Sequence, residues 1–233
     1  HNAIGIVGGV VSGNLERIDF DLPGIYDEWA ALAETCGYKE LIESLPFVQS
    51  PRDPSCGHLY YRCAEPVSTN LELARYADEN GKPKASIETR GEAGYTIAPG
   101  SPAKCHETGR EYRLIRGDLT RIPVISAEDR QALLEMARSF NEFIEPERTR
   151  GQTQTTDNDD IGNRPGDDYN VRGDWRGVLE SAGWRYVWAR GEAERWCRPG
   201  KDRGVSATFN YAGNNLLWVF SSNAYPFEMD TGY

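Results

Sequence analysis

The sequence has no long apolar run, no even set of cysteines and no excess of basic residues. Without a stretch of about 20 consecutive apolar residues, no part of the 233-residue chain is expected to span a membrane. The N-terminal residues also lack the charged and then apolar pattern of a secretory signal peptide. The five cysteines are odd in number and irregularly spaced, which argues against a disulfide framework and for a reducing, cytoplasmic location.

The charge balance bears on nucleic-acid binding. The chain has 36 acidic and 26 basic residues, which gives a net charge of −10. Basic surface usually supplies most of the affinity for phosphate backbones, so this composition argues against tight, unaided binding of DNA. Carboxylates that hold metal ions would add to the acidic count, and a basic groove can coexist with an acidic exterior. The composition therefore permits a nucleic-acid enzyme without indicating one.

Strand-like and helix-like segments are mixed in the first part of the chain. Apolar residues at helical spacing predict one helix between Ile25 and Gly37 and another that begins after Ser126. This mixture predicts an α+β domain over residues 1–144. The patterns of apolar residues predict strands at residues 3–7, 15–21, 47–49, 58–62, 85–89 and 95–98.

The last third of the chain is predicted to form a separate module. Residues 145–166 are polar and aperiodic, which indicates a flexible linker. Residues 167–233 combine a short helix with strand-like segments, which predicts a small accessory α+β module. Its many aromatic residues are expected mainly to fill a core. The turn at 198–203 gathers cations in an acidic chain, so the predicted contacts to single-stranded DNA are Arg198, Lys201 and Arg203.

Two pairs of residues on predicted strands could serve a metal site. Side chains alternate along a strand, so Asp19 and Asp21 point to the same side and could share hard cations such as Mg²⁺. Glu88 and Arg90 share a side of another strand, and a third carboxylate from a separate strand is what a two-metal site needs. Taken alone, each pair could equally be an ordinary charged strand end.

The segment 56–62, with the sequence CGHLYYR, adds a histidine and an arginine. His58 and Arg62 lie on one face of the predicted strand, and an imidazole with a guanidinium can hold a triphosphate. A hydrogen-bonded structural histidine beside an exposed arginine would give the same pattern. The segment is therefore informative only together with its neighbours in the chain.

The order of these motifs resembles the prim-pol branch of the archaeo-eukaryotic primase superfamily. The resemblance covers roughly residues 3–143 and depends on several ordered motifs, so it is specific. Two later segments, RPGDD at 164–168 and RPGK at 198–201, are similar to phage and mobile-element members. The motifs in the main region are DFD at 19–21, GHLYYR at 57–62, IETRGEAGY at 87–95, APGS at 98–101, CH at 105–106 and GREY at 109–112.

The resemblance implies both a fold and an activity. It implies an RRM-like catalytic sheet beside an N-terminal αβ unit, in an enzyme that joins nucleotides on a single-stranded DNA template. The expected catalytic and metal-binding residues, which would hold two Mg²⁺ or Mn²⁺ ions, are Asp19, Asp21 and Glu88. The expected nucleotide-binding residues, which would meet the nucleoside triphosphate, are His58, Arg62 and Arg90.

The resemblance also suggests a larger context. Relatives have further residues before the first strand and commonly continue into a helicase. The chain is therefore expected to be an N-terminally truncated piece of a longer phage or mobile-element replication protein, with a helicase as a partner in the same parent chain. If it is phage-encoded, it would work in the host cytoplasm.

Other functions stay open on the residues alone. The acidic residues and His58 could activate water in a metal-dependent nuclease. A catalytically inactive primase-like platform that binds DNA or a helicase is a second alternative. Cys63, Cys105 and His106 could contribute to a small zinc site, but their spacing fits no standard zinc pattern and we expect no structural zinc.

Overall fold

The computed structural model describes residues 2–143 and 173–233. The predicted linker at 145–166 and the RPGDD segment at 164–168 lie outside these residues. The helices are α1 (Ile25–Thr35), α2 (Lys39–Ser44), α3 (Ala127–Arg138) and α4 (Trp175–Ser181). The strands are β1 (Gly5–Val7), β2 (Leu15–Phe20), β3 (Phe47–Gln49), β4 (Gly57–Cys63), β5 (Glu72–Ala77), β6 (Pro83–Arg90), β7 (Tyr95–Ile97), β8 (Arg113–Arg116), β9 (Val124–Ile125), β10 (Arg185–Arg190), β11 (Ala193–Cys197), β12 (Ala207–Phe209), β13 (Trp218–Val219) and β14 (Thr231–Gly232).

The chain therefore has a mixed α+β fold with antiparallel sheets and few helices, as the sequence predicted. The large sheet has the strand order β5-β6-β2-β4-β3-β8, with the short β9 added in parallel to β4. Both predicted helices of this region are present. α3 begins where the Ser126 side chain accepts a hydrogen bond from the backbone N–H of Asp129 (3.0 Å), a standard N-cap contact.

The central strand β2 is buried on both faces. One face carries Ile18 and Phe20, which pack under α1 and α3 in the main hydrophobic core. The opposite face carries Arg17 and Asp19, which are also buried. Because burying a charge is costly unless it is paired, a polar face buried this deeply on a central strand points to a functional site.

A buried ion pair ties the sheet to the helix layer. Glu16 on β2 is fully buried and faces the helices. Arg130 of α3 donates to both of its carboxylate oxygens, at 2.5 and 2.8 Å, and the Tyr61 hydroxyl on β4 donates to one of them at 2.6 Å. This network fixes the position of α3 on the sheet.

A two-stranded ribbon of β1 and β7 lies on the opposite face of the large sheet. Ile6 of the ribbon packs against Leu15 and Tyr60 on that face. The ribbon approaches the chain closely at Gly8, where a Cβ atom would lie 2.4 Å from the carbonyl oxygen of Gly91. Glycine is therefore needed at position 8 for steric reasons alone.

Residues 173–233, the C-terminal unit, form α4 and a five-stranded sheet of β10 to β14 in sequential order. This unit packs on the outer side of the helix layer, where Trp188 and Val205 join the main hydrophobic core. Ion pairs cross the same boundary: Arg190 with Glu28 and Glu142, Lys201 with Glu135, and Arg203 with Asp129. No helix in the described ranges has the length and apolar character that a membrane span requires.

Candidate active site

The antiparallel register sets one histidine and two carboxylates in a row across three strands. Asp19 on the central strand β2 is the Cα partner of His58 on β4 and of Glu88 on β6. Directly opposed residues in a sheet point to the same face, and adjacent strands lie about 4.8 Å apart. The three side chains therefore emerge together on the face that lies opposite the helices.

Asp21 completes a cluster of three carboxylates. It lies one residue beyond β2, where its backbone N–H donates to the carbonyl of Ser86 at 2.9 Å and continues the strand geometry. Carboxylate oxygens of Asp19, Asp21 and Glu88 lie within 4.8 Å of one another. Within residues 2–143 and 173–233 this is the only group of three or more potential metal ligands, and Cys63, Cys105 and His106 form no such group.

Each carboxylate of this acidic triad has an arginine beside it. Arg90 pairs with Glu88, and the Arg52 Nη1 atom lies 3.7 Å from Asp21 Oδ1. The Arg17 Nη2 atom donates to Asp19 Oδ2 at 2.9 Å, while Arg17 Nε and Nη1 have no hydrogen-bond partner among the described residues. Arg17 exposes only 6% of its surface, so these unpaired donors are costly groups that an anion in the cleft could satisfy.

The surroundings of Asp19 keep it ionised. Burial alone would raise the pKa of its carboxyl, but His58 opposes this effect by charge and by a hydrogen bond, with help from Arg17 and Arg90. The pKa of Asp19 is consequently lowered to about 2. The His58 Nε2 atom lies 3.2 Å from Asp19 Oδ1, so the imidazole sits directly against the acidic triad.

The pKa values of the other two carboxyls are raised, in contrast to that of Asp19. Burial raises the pKa of Asp21, and the negative charge of Asp19 adds to the increase. Burial also raises the pKa of Glu88. The positive charge of Arg90 opposes this increase, and the negative charges of the two aspartates add to it. Three carboxylates so close together repel one another, and a bound divalent cation would remove that repulsion.

Asp19 and Asp21 of the acidic triad line a cleft of about 360 Å³, whereas Glu88 lies within ligand distance of them without lining the cleft. On one side the ring of Tyr112 lies between His58 and His106, with centroid distances of 5.5 and 5.9 Å. On the other side stand Tyr95 and its neighbours on β7. The cleft thus combines oxygen ligands, cationic donors and aromatic walls, a combination that suits a metal-bound phosphate ester carrying a flat base.

The structure distributes the sequence-predicted residues unequally around this cleft. Asp19, Asp21, Glu88, His58 and Arg90 are brought together. Arg62 lies away from this group. Its Cα partner is Leu15, which precedes Asp19 by four residues on β2, a distance of about 13 Å at the ordinary rise of a strand. Its proposed role in nucleotide binding has no support from this position.

Three functional candidates were missed by reasoning from the sequence. Arg17 could have been found, because it lies two residues before Asp19 and therefore on the same face of the strand. Arg52 and Tyr112 reach the cleft from segments outside β2, β4 and β6. No spacing in the sequence links them to the carboxylates. Tyr112 ends the GREY motif of the family resemblance, but only the folded chain places it and Arg52 at the cleft.

The cations of the C-terminal turn lie far from the cleft, on the other side of the helix layer. Lys201 Nζ donates to Glu135 at 2.7 Å, and the Arg203 guanidinium lies over the ring of Tyr38 and pairs with Asp129. Arg198 donates to the hydroxyl of Ser221 at 3.1 Å. Their assignment as DNA contacts stays a prediction, and each of them already has an intramolecular partner.

Comparison with known proteins gives one informative match. The family model for the N-terminal domain of bifunctional DNA primase/polymerases matches residues 1–128, more than half of the chain. No curated protein sequence matches the chain significantly. The matched span contains the acidic triad, its three arginines and every residue that lines the cleft.

Proposed function

Because the chain belongs to the bifunctional DNA primase/polymerase family, we propose that it adds nucleotides to a DNA strand on a single-stranded template. The observation that supports this most directly is the acidic triad, whose Asp19, Asp21 and Glu88 oxygens lie within 4.8 Å of one another beside a cleft lined by arginines. Family membership indicates nucleotidyl transfer in general. The assignment of the reaction to this cleft and to these residues is our proposal.

The residues of the acidic triad fit divalent cations of the magnesium type. All three ligands are carboxylates, the oxygen donors that hard cations prefer. Burial and, to a smaller extent, the mutual repulsion of the carboxylates raise the pKa of Asp21 and of Glu88, and a bound cation would relieve that repulsion. When bound, two Mg²⁺ or Mn²⁺ ions would activate the primer 3′-hydroxyl and neutralise charge on the α-phosphate.

The protein's own cationic groups are proposed to hold the triphosphate. Arg17, Arg52 and Arg90 stand beside the three carboxylates, and an arginine binds phosphate oxygens through paired N–H donors. The buried, unpaired donors of Arg17 would gain partners in that complex. His58 lies against the acidic triad, where its imidazole can donate to the same phosphates.

The rigid mounting of these groups would contribute to the rate. Asp19, His58 and Glu88 are all held on hydrogen-bonded strands of one sheet, so the site is organised before the substrate arrives. Groups that are already in place for the charge of the transition state need no rearrangement during the reaction.

The resemblance of the RPGK segment at 198–201 to phage and mobile-element proteins supports a role for this chain in their replication, alongside a helicase.

Primer extension and de novo priming assays on a single-stranded template, with Mg²⁺ or Mn²⁺, test the proposal. Asp21→Asn and Glu88→Gln should lose synthesis. The matched control is Glu72→Gln, because Glu72 is an exposed carboxylate on β5, paired with Glu88 in the sheet but outside the acidic triad. Degradation of the primer without extension would instead show a nuclease. Equal loss of synthesis in all three variants would show that the acidic triad is no more important for synthesis than an exposed carboxylate.

A further inference from the structure

Tyr95 on β7 exposes 73% of its surface, although it lies beside the cleft. A large aromatic side chain is normally at least half buried, and Tyr95 forms no ring contact with another aromatic residue among the described ones. It belongs to the IETRGEAGY segment, yet neither the metal site nor the proposed triphosphate contacts account for it. Its exposure leaves the ring available to a ligand beside the cleft.

The surroundings of Tyr95 are apolar and also exposed. Val7 is its Cα partner on β1 and exposes 46% of its surface. Val10 and Val11, just beyond β1, expose 60% and 78%. We call these four residues, Val7, Val10, Val11 and Tyr95, the ribbon patch. The side chains of these four residues carry no charge, and the nearby Glu92 carboxylate is anionic, so the patch suits the faces of bases better than it suits phosphates.

The ribbon patch is rigid because the ribbon is anchored at several points. The backbone N–H of Gly8 donates to the carbonyl of Gly94 at 2.8 Å, and that of Ala98 donates to Ile4 at 2.9 Å. The Glu92 carboxylate accepts a hydrogen bond from the N–H of Val10 at 2.8 Å. A ring held on such a frame loses little conformational entropy when a base stacks on it.

The ribbon patch is also continuous with the cleft. Tyr95, Thr96 and Ile97 of β7 form one wall of the cleft that contains Asp19. The partly exposed side chains of Arg52 and Arg90, which are proposed to hold the triphosphate, line the same cleft. A strand leaving the acidic triad in this direction would meet cations first and an aromatic platform next, the arrangement found in sequence-tolerant single-strand binding.

We propose that Tyr95 and the ribbon patch form a stacking platform for unpaired bases of the single-stranded DNA template as it enters or leaves the cleft. This inference rests on the proposed function, since it names the surface over which the template of that reaction runs. Stacking requires the aromatic ring of Tyr95 and not its hydroxyl. The platform accepts any base, because every base has a π-face.

Binding of a fluorescently labelled oligothymidine to the full chain, in Ca²⁺ and without nucleotide, tests the platform. Removing one stacked aromatic should weaken binding about tenfold or more, so we expect this loss for Tyr95→Ala and near-normal binding for Tyr95→Phe. Val11→Glu, which places a negative charge on the ribbon patch, should weaken binding most at low salt, because added salt screens the repulsion between this carboxylate and the phosphates. The control is Tyr225→Ala, since Tyr225 is 94% exposed on the C-terminal unit.

Several outcomes separate this inference from the proposed function. If Asp21→Asn abolishes synthesis while Tyr95→Ala and Val11→Glu bind the oligonucleotide normally, the platform is refuted and the function stands. If Tyr95→Ala weakens binding but the unaltered chain never extends a primer, the platform stands and the function fails. If both patch variants change only the self-association of the chain, measured by sedimentation, the ribbon patch is a protein interface and the proposal is wrong.

Discussion

Asp19 and Arg17, two residues apart on β2, form an ion pair that is buried under the cleft. The Nη2–Oδ2 distance is 2.9 Å, and the two residues expose only 5% and 6% of their surfaces. Removing one partner of a buried pair leaves the other charge uncompensated in a medium of low polarity. Asp19 therefore contributes to folding as well as to the cleft, whereas the less buried Asp21 has no such buried partner.

This difference leads to a contrast between two substitutions. Asp19→Ala should abolish nucleotide addition and also lower the free energy of unfolding by about 3 kcal/mol, because Arg17 loses its counter-charge. Asp21→Ala should abolish nucleotide addition with less than about 1 kcal/mol of destabilisation. Urea unfolding followed by tryptophan fluorescence, together with primer extension, measures both effects. Equal stability of the two variants would contradict the account of the buried pair.

His58→Ala should weaken nucleotide binding more than template binding. The imidazole is buried against Asp19, whereas the ribbon patch is exposed. We expect the KM for the nucleotide to rise about tenfold, the effect of losing one or two charge-assisted hydrogen bonds, while template affinity changes less than twofold. Separate titrations of nucleotide and template decide the matter, and parallel losses would show that His58 does not discriminate between the two ligands.

Arg130→Ala tests the link between the sheet and the helix layer. Glu16 is fully buried and would lose the cation that pairs with it among the described residues, so the free energy of unfolding should fall by about 3–5 kcal/mol. The matched control is Lys39→Ala, which removes the exposed ion pair of Lys39 with Glu34 and should cost less than about 1 kcal/mol. Chemical denaturation measures the free energy of unfolding of both variants. Similar losses in both variants would mean that burial of Glu16 does not set the cost.

The cysteines should differ in reactivity according to burial. Burial raises the pKa of the Cys36 and Cys56 thiols from 9.0 to about 12, so both stay protonated at pH 8, where the thiolate is the reactive species. Cys105 is the only one of the five that is partly exposed. Iodoacetamide at pH 8, followed by peptide mass mapping, should label Cys105 first. Early labelling of Cys36 or Cys56 in the folded chain would refute the burial argument.

The same two thiols make stability depend on alkaline pH. Their folded pKa lies above the unfolded value, so the folded chain keeps protons that the unfolded chain releases. Their contribution to stability is complete below pH 9.0 and decreases as the pH rises toward 12. Serine at either position should flatten this part of the curve of unfolding free energy against pH. An unchanged slope would assign the alkaline loss of stability to other groups.

The carboxylate cluster could be predicted from the sequence because its geometry is mostly local. Alternation along one strand places Asp19 and Asp21 on the same side, and the same rule applies to Glu88 and Arg90. What alternation could not give is the register between strands, which sets Glu88 directly across from Asp19. That register depends on packing along the whole of β2 and β6. The resemblance to a family implied only that Glu88 joins the two aspartates, and the register itself comes from the folded chain.

Other parts of the fold have weak local signals. The edge strand β8 has the sequence RLIR with Leu114 and Ile115 both exposed, so no alternation marks it as a strand. The packing of the C-terminal unit on the helix layer depends on pairs such as Lys201 with Glu135, which are 66 residues apart. Long-range electrostatic complementarity of this kind leaves no pattern in a window of sequence, and a cation cluster looks the same whether it meets DNA or a neighbouring helix.

The contact between Gly8 and Gly91 has a consequence for tolerance to mutation. A Cβ atom on Gly91 would lie 2.2 Å from the carbonyl oxygen of Ser68, so both positions are sterically closed to every larger residue. Neither glycine carries a functional group, yet a larger residue at position 8 must push β1 away from Gly91, and one at position 91 must displace the chain at Ser68. In a comprehensive substitution screen these two positions should be as intolerant as the carboxylates. Intolerance to substitution alone would therefore wrongly assign the two glycines a part in the chemistry.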